Sequence, residues 1–433
     1  MEKQRWLRII PVALIMYTIS YVDRTNISLA LDPKVSTMMK DLLMDDRMKG
    51  QAAGIFFLGY FLLQIPCGHL ASQWSAKKLI SILLILWGIC AVGCGLTRTF
   101  RHFEIMRFFL GLAESGVFPA TTVLLAGWFP RSERARANSY WNLCQPLAVA
   151  ASAPVTGMLL GAYGWQTMII LEGALPFVWL PLWWFFISDH PREAKWISAG
   201  EREFLENTLK REAVDIEPAR TGSVFNQLSK RQVFVMVIIN FLHNSAAYGC
   251  MTFLTEGLKG KNFNASQYGI LFGVPYAVTA IIMVINSWHS DKTQERRGHV
   301  ALVYVISGLS LVASVLLRSH FWTSYVLMCL AIPGPFAALA PFWAIPTESL
   351  PRNVMGWVIG LVNAVGNLGG FAGPFIVGWL KVESGSTALA FNLLGVGLLI
   401  AAMLAFLLPK TRRPSPAADL STLRVASQAT MKP

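Results

Sequence analysis

The stretch 21-YVDRTNISLA-30 sets Asp23 beside Arg24 late in an apolar run that begins near Ile9 and ends near Leu31. A run of this length is enough for a helix to cross a hydrocarbon layer roughly 30 Å thick. A charged side chain inside that layer costs roughly 2.5–3.5 kcal/mol on insertion scales, and such residues usually face a watery interior and carry function. If this run spans a membrane, Asp23 and Arg24 are the first candidates for a site.

The rest of the chain supports that premise. Of its 433 residues, 54% are hydrophobic and 14% charged, where a soluble protein carries about a quarter charged. Apolar runs recur at about 9–31, 51–72, 79–97, 103–127, 139–162, 167–188, 232–254, 267–289, 299–317, 322–346, 354–380 and 386–408. They predict an all-α membrane protein with twelve transmembrane helices. The run from Ile9 is too long for the apolar core of a signal peptide and stays as the first span. Cys67, Cys90, Cys94, Cys144, Cys250 and Cys329 fall inside predicted helices without a histidine at metal-ligand spacing. They read as packing residues, with no disulfide and no metal.

The net charge of +13 follows the topology. With the amino terminus inside, 25 of the 37 Lys and Arg lie on inner segments, 10 on outer loops, and Arg24 and Arg107 within spans. This positive-inside bias sets both termini in the cytoplasm, and the surplus gives no reason to expect nucleic acid. The expected organisation is an N-terminal six-helix bundle (1–188), a cytoplasmic linker (189–231), a C-terminal six-helix bundle (232–409) and a polar cytoplasmic tail (410–433), expected to be disordered. In the linker, Ser198 and Glu201 form an S-x-x-E capping box that predicts a short amphipathic helix along the membrane surface.

The two halves look repeated. "GHLASQWSAKKL" (Gly68–Leu79) follows helix 2, and "SWHSDKTQERRG" (Ser287–Gly298) follows helix 8. "APVTG" ending at Gly157 on helix 5 matches "GPFIVG" ending at Gly378 on helix 11. Two pseudo-symmetric six-helix bundles are the plan of a transporter whose site lies between the halves near the midplane.

Helix 4 adds Arg107 and Glu114, seven residues apart and therefore on one face, about 10 Å apart along the axis. With Asp23 and Arg24 they make a set that is neutral when ionised. Protonation of one carboxyl leaves the set positive and receptive to an anion. Arginine suits the anion, because its planar fork matches a carboxylate. Asp23 and Glu114 suit the proton. Alternatively, the same residues are bridges that pin helix 1 to helix 4. In the second half the polar residues within spans are Asn240, His243, Asn244, Asn363 and Asn367. His243 is either a second proton site or a bond between helices. Tyr21, Tyr60, Tyr248 and Trp343 are candidates for the cavity wall. Glu172 and Glu256 are expected near the outer ends of helices 6 and 7, in reach of water. The chain shows no nucleophile elbow, zinc motif or phosphate-binding loop, so an enzyme ranks last and no cofactor is expected.

These residues resemble the major facilitator superfamily, and within it the anion:cation symporter family. The resemblance covers nearly the whole chain and rests on four pieces. They are "YVDRTNIS", "RFFLGLAESGVFPATTVLLAGWFPRSERARA" (107–137), "DHPREAKWISAGERE" (189–203) and "NAVGNLGGFAGPFIVG" (363–378). It implies a substrate-gripping arginine at Arg24, proton carriers at Asp23 and Glu114, and the helix-4 arginine at Arg107. It also places Gln145 nine residues before Pro154, and Tyr21 and Asn363 at the site. One departure stands out. The family's loop G-x-L-A-D-R-x-G here has Ser72 and Ser75 in place of its aspartate and second glycine, which predicts a weaker latch there, whereas Asp291 keeps the acid in the second half.

The expected function is a proton-coupled secondary importer of a small organic anion, working by alternating access in the cell inner membrane as a monomer. A sugar acid, a hydroxy-dicarboxylate, or an aromatic or sulfonated carboxylate would suit the site. Sodium coupling stays open, though no acid-rich cation cage is seen. The alternatives are an organic-anion exchanger on the same fold and a transporter-like nutrient sensor.

Overall fold

A computed structural model describes residues 4–214, 230–258, 263–349 and 352–409. The described residues are almost entirely helical. Eleven stretches are long and apolar enough to cross a membrane. One of them, Arg136–Phe186, runs 51 residues and breaks at Gly164, whose φ of 76° and ψ of 174° lie outside the helical region. That conformation is essentially confined to glycine. The break yields two spans, and the total is the twelve that the hydropathy pattern predicts.

The spans are α1 Gln4–Ala30, α2 Asp46–Gln73, α3 Ala76–Gly95, α4 Phe100–Trp128, α5 144–163, α6 165–186, α7 Arg231–Phe253, α8 Ala265–Thr293, α9 Arg297–Leu316, α10 Phe321–Pro346, α11 Arg352–Ser384 and α12 Ala388–Ala405. Several begin where the sequence offers a capping side chain. Asp45, Ser75 and Thr99 accept from the backbone N–H three residues on, and Asn264 with Gln267 forms a full capping box. Such caps satisfy amides that the helix itself leaves unpaired. α10 is cut into short helical pieces beginning at Phe321, Pro333 and Leu339. Prolines at 333 and 335 remove backbone donors there.

The linker helix Ala199–Val214 forms with half of its capping box: Ser198 Oγ accepts from the Glu201 N–H, while the Ser198 N–H donates to Gln4 Oε1. It sits against α1. Arg5 of α1, itself buried, pairs with Glu201 and with Glu133 of the short helix Arg131–Asn142, the latter at 2.7 Å. Trp196 stacks on Trp128 at 5.1 Å between centroids, and Leu205 is fully buried. Residues 215–229 of the linker and the tail 410–433 lie outside the described residues.

The end of the bundle carrying the linker is called here the linker end, and the opposite end the distal end. At the distal end the halves are pressed together through small residues. A Cβ on Gly50 of α2 would strike the Pro374 carbonyl of α11, and one on Gly157 of α5 would strike the Ala265 carbonyl of α8. Backbones approach this closely only where side chains are missing. Toward the linker end α11 faces open space. A Cβ on Gly360 meets nothing within 4 Å, and Trp357 is exposed. The two halves are thus closed distally and parted toward the linker.

The missing loop aspartate has a substitute. Asp189, just past α6, accepts from Ser75 Oγ at 2.5 Å and from the Lys77 N–H at 2.9 Å, and so caps α3 from outside the loop. In the second half Asp291 pairs with Arg296 at 2.5 Å.

Candidate functional site

Asp23 and Arg24 are neighbours on α1 and point about 100° apart, as any adjacent helical pair must. Asp23 Oδ2 accepts from the indole Nε1 of Trp87 on α3 at 2.6 Å. Arg24 turns toward α4 and α2. Its Nε donates to Glu114 Oε2 at 3.0 Å, and Ser20 Oγ, one turn back on α1, donates to the same oxygen at 2.7 Å. Arg107 Nη1 donates to the main-chain carbonyl of Asp23 at 3.0 Å. The four charged residues are brought together as expected, and all are buried, Glu114 completely. Their cross-links run from α1 to α3 and α4.

The guanidinium of Arg24 sits in an aromatic box. Its carbon lies 4.7 Å from the ring centroid of Tyr60, 5.0 Å from Tyr21, 5.3 Å from Phe56 and 5.6 Å from Tyr17. Rings at such distances attract a cation without neutralising it. Arg24 Nη2, Arg107 Nε and Glu114 Oε1 are buried without a hydrogen-bond partner. Unpaired buried polar atoms are unusual in a native interior and call for an explanation. Here two unused donors and one unused acceptor lie within one charge cluster.

Tyr21 extends the site toward the second half. Its hydroxyl donates to Gln145 Oε1 on α5 at 2.9 Å and stands 3.4 Å from the Tyr248 hydroxyl on α7. Tyr21, Tyr60, Gln145 and Tyr248 therefore gather with the charges. Trp343 and Asn363 are half-buried on α10 and α11; the Trp343 ring is edge-on to Phe342. Nothing in their contacts ties them to the cluster. Of the other second-half amides, Asn240 and Asn367 join helices, while Asn244 bonds back within α7. Asn240 donates to the Val362 carbonyl at 2.9 Å, and Asn244 to the Asn240 carbonyl. His243 is buried and meets the Tyr304 hydroxyl at 3.1 Å, a bond from α7 to α9. Asn367 reaches across the halves to Gln64 of α2 at 3.4 Å.

Two sequence expectations fail. Glu172 is only 4% exposed and accepts from Thr156 Oγ1 at 2.6 Å. Glu256 is also buried, and Lys49 and Lys381 lie 3.5 and 2.8 Å from its Oε1. Lys381 reaches on to Asp46 at 2.5 Å, and Lys49 lies 4.5 Å from the ring centroid of Phe253. Position near a span's end brings a carboxylate close to water only if no neighbouring helix covers it, and here helices of its own half cover Glu172 while the closed distal end covers Glu256. Lys49, Asp46, Glu256 and Lys381 join α2 to the segment after α7 and to α11, so they lock the two halves. Ser20, Trp87, Gln64 and this distal lock were not singled out from sequence. Serine, tryptophan and glutamine in an apolar run carry no signal of their own.

The sequence profile of the Major Facilitator Superfamily matches residues 13–374. A "Putative tartrate transporter" from Agrobacterium vitis is 30% identical over 411 residues, covering 94% of both chains. A "Quinolone resistance transporter" from Acinetobacter baumannii is 29% identical over 414 residues, 92% of this chain and 93% of that one. Among solved structures, a bacterial homologue of the human lysosomal transporter Spinster, in an inward-facing and occupied conformation, aligns with a TM-score of 0.74. It does so at 17% identity, over 96% of this chain and 100% of that one.

Proposed function

Because this chain belongs to the Major Facilitator Superfamily, and is thus a transport protein rather than an enzyme, we propose that it is a proton-coupled importer of a small organic anion. It works by alternating access in the cell inner membrane, with both termini in the cytoplasm. The linker end is then the inner end, and the described conformation faces inward. The observation that carries the reading is the buried set Asp23, Arg24, Arg107 and Glu114. It is balanced in charge, and it holds two unsatisfied guanidinium nitrogens. A carboxylate on the substrate supplies the acceptors these donors lack. A proton on Glu114 or Asp23 supplies the positive charge that makes an anion welcome. The tartrate relative supports a carboxylate cargo. Hydroxylated, aromatic and sulfonated acids also fit the tyrosines, Gln145 and the guanidinium groups.

Each ligand raises the affinity for the other by the same factor, since coupling free energy is reciprocal. If one net positive charge moves inward per cycle, a 100 mV potential supplies about 2.3 kcal/mol, or roughly 40-fold accumulation. The test is uptake of a panel of labelled organic acids by purified protein in vesicles, with and without an acidic exterior. Accumulation that follows the pH gradient supports the reading. Accumulation indifferent to it favours anion exchange on the same fold.

A further inference from the structure

Glu172 is a buried carboxyl that the cycle above leaves unused. It lies on α6, two turns past the break at Gly164 and therefore on the distal side of the bundle. Three spans pack around it. α5 contributes Thr156, whose hydroxyl holds Oε1 at 2.6 Å. α1 contributes Asn26, whose side chain faces the same carboxyl. α3 contributes Ala91 and Val92 against Gly173, with Cys94 one turn further along. No lysine, arginine or histidine pairs with Glu172 among the described residues, and its Oε2 is buried with no hydrogen bond. An isolated carboxylate out of water is costly enough that the group neutralises instead. Glu172 thus differs from Glu114, which has Arg24 beside it.

The neighbour that gives this a use is Asp23. Asn26 follows Asp23 by three residues on α1, so the two lie on one face a turn apart. Glu172 accordingly stands about one turn, roughly 5 Å, distal to Asp23, a gap that one water can bridge. Beyond Asp23 come Arg107 and Glu114, and beyond Glu172 comes the distal seal.

We propose that Glu172 is a proton-binding site on the outer flank of the charge cluster, through which protons reach Asp23. This rests on the proton-coupled reading. When the outer ends of α1, α5 and α6 part, Glu172 takes a proton from outer water. The proton then passes from the Glu172 carboxyl through a bridging water to the Asp23 carboxylate, leaving Glu172 ionised and ready for the next. No bond other than O–H forms or breaks, and no other reactant is needed. Asn26 and Thr156 hold the carboxyl in place and are positioning residues.

The test uses the whole chain and Glu172→Gln, which keeps an acceptor for Thr156 Oγ1. An infrared titration in detergent, with no substrate, reads protonated carboxylic acid directly. At neutral pH the variant loses signal equivalent to one carboxyl; an unchanged signal overturns the proposal. In vesicles, with an anion that wild type transports, Glu172→Gln lowers proton-driven uptake at neutral exterior pH by about 100-fold, the scale of losing a positioned proton donor. It leaves anion exchange intact. Coupled uptake with an unaltered pH profile overturns the relay, and so does loss of exchange together with uptake, which marks a structural role. If wild type itself ignores the pH gradient, the transport reading fails, while the infrared result still decides whether Glu172 holds a proton.

Discussion

Lys49 on α2 and Glu256 just after α7 stand 3.5 Å apart, Nζ to Oε1, and neither side chain is more than 2% exposed. The pair therefore ties the two halves at the distal end from inside the protein. Removing one partner of such a buried pair costs about 3–5 kcal/mol, because the other charge is left stranded. Here Lys381 still covers Glu256, so Lys49→Met loses part of that. Even about 1.4 kcal/mol shifts a two-state balance tenfold. The expected outcome is a protein that opens distally more often. A cysteine at Gly360, which faces open space at the linker end, reports it. Its labelling by an impermeant thiol reagent from that side slows in Lys49→Met, by up to about tenfold for a tenfold shift of the balance. An unchanged rate would mean that the pair does not hold the distal end shut.

Arg24→Ala removes the one ion-pair partner that Glu114 has among the described residues. Charged hydrogen bonds are worth about 1.5–3 kcal/mol, so substrate affinity falls roughly 10- to 100-fold. Arg24→Lys restores the charge but not the planar fork, and recovers little. Equilibrium binding to the two variants checks this. Near-wild-type affinity in Arg24→Lys would mean that charge alone matters.

Tyr21→Phe deletes one hydroxyl that serves both Gln145 and Tyr248. The net loss is about 1 kcal/mol, or roughly fivefold. It is expected in KM with turnover unchanged, because the hydroxyl orients the wall of the site and carries no charge. Transport kinetics of the purified variant are the measurement.

Asp189→Ala uncaps α3 at its start, freeing Ser75 Oγ and the Lys77 N–H. Loss of a cap costs about 1 kcal/mol. A lowered melting temperature in detergent, with transport retained, is the expected outcome. Ser75→Ala removes the bond to Asp189 and also the cap on the Lys78 N–H, and should lower it by a similar amount.

Acid stability is set in part at the distal surface. Thr37 and Trp165 donate to Asp41 at 2.7 and 2.8 Å, and these two bonds hold its carboxyl below the usual aspartate range. A depressed folded-state value gives stability that is complete above the unfolded value. It is lost as pH falls through the folded one. Asp41→Asn is therefore expected to lower the melting temperature at neutral pH and to leave it close to wild type below about pH 4, which flattens the acid limb.

Much of this arrangement can be read from sequence because apolar runs make charges conspicuous. Asp23, Arg24, Arg107 and Glu114 interrupt spans that otherwise hold few charges, and the structure gathers all four. Sequence misplaces Glu172 and Glu256, and does not single out Lys49 and Lys381, for a physical reason. Sequence measures how far a residue lies from water along its own helix; whether a neighbouring helix covers it from the side depends on tertiary packing. Trp343 carries a weaker signal of a different kind, since tryptophans are common in membrane proteins for reasons of anchoring and packing. Asp189 took over the place of the missing loop aspartate from more than a hundred residues away, where no local motif pointed to it.

Gly164 turns the chain back on itself within a single residue, and so it decides parity. With the reversal, residues 4–186 cross six times, and the linker emerges on the same face as the start of the chain. Were 144–186 one unbroken rod, that count would drop to five. Every segment after it would then be delivered to the wrong side of the bilayer. The handedness of one glycine thus governs which way up the whole second half is inserted.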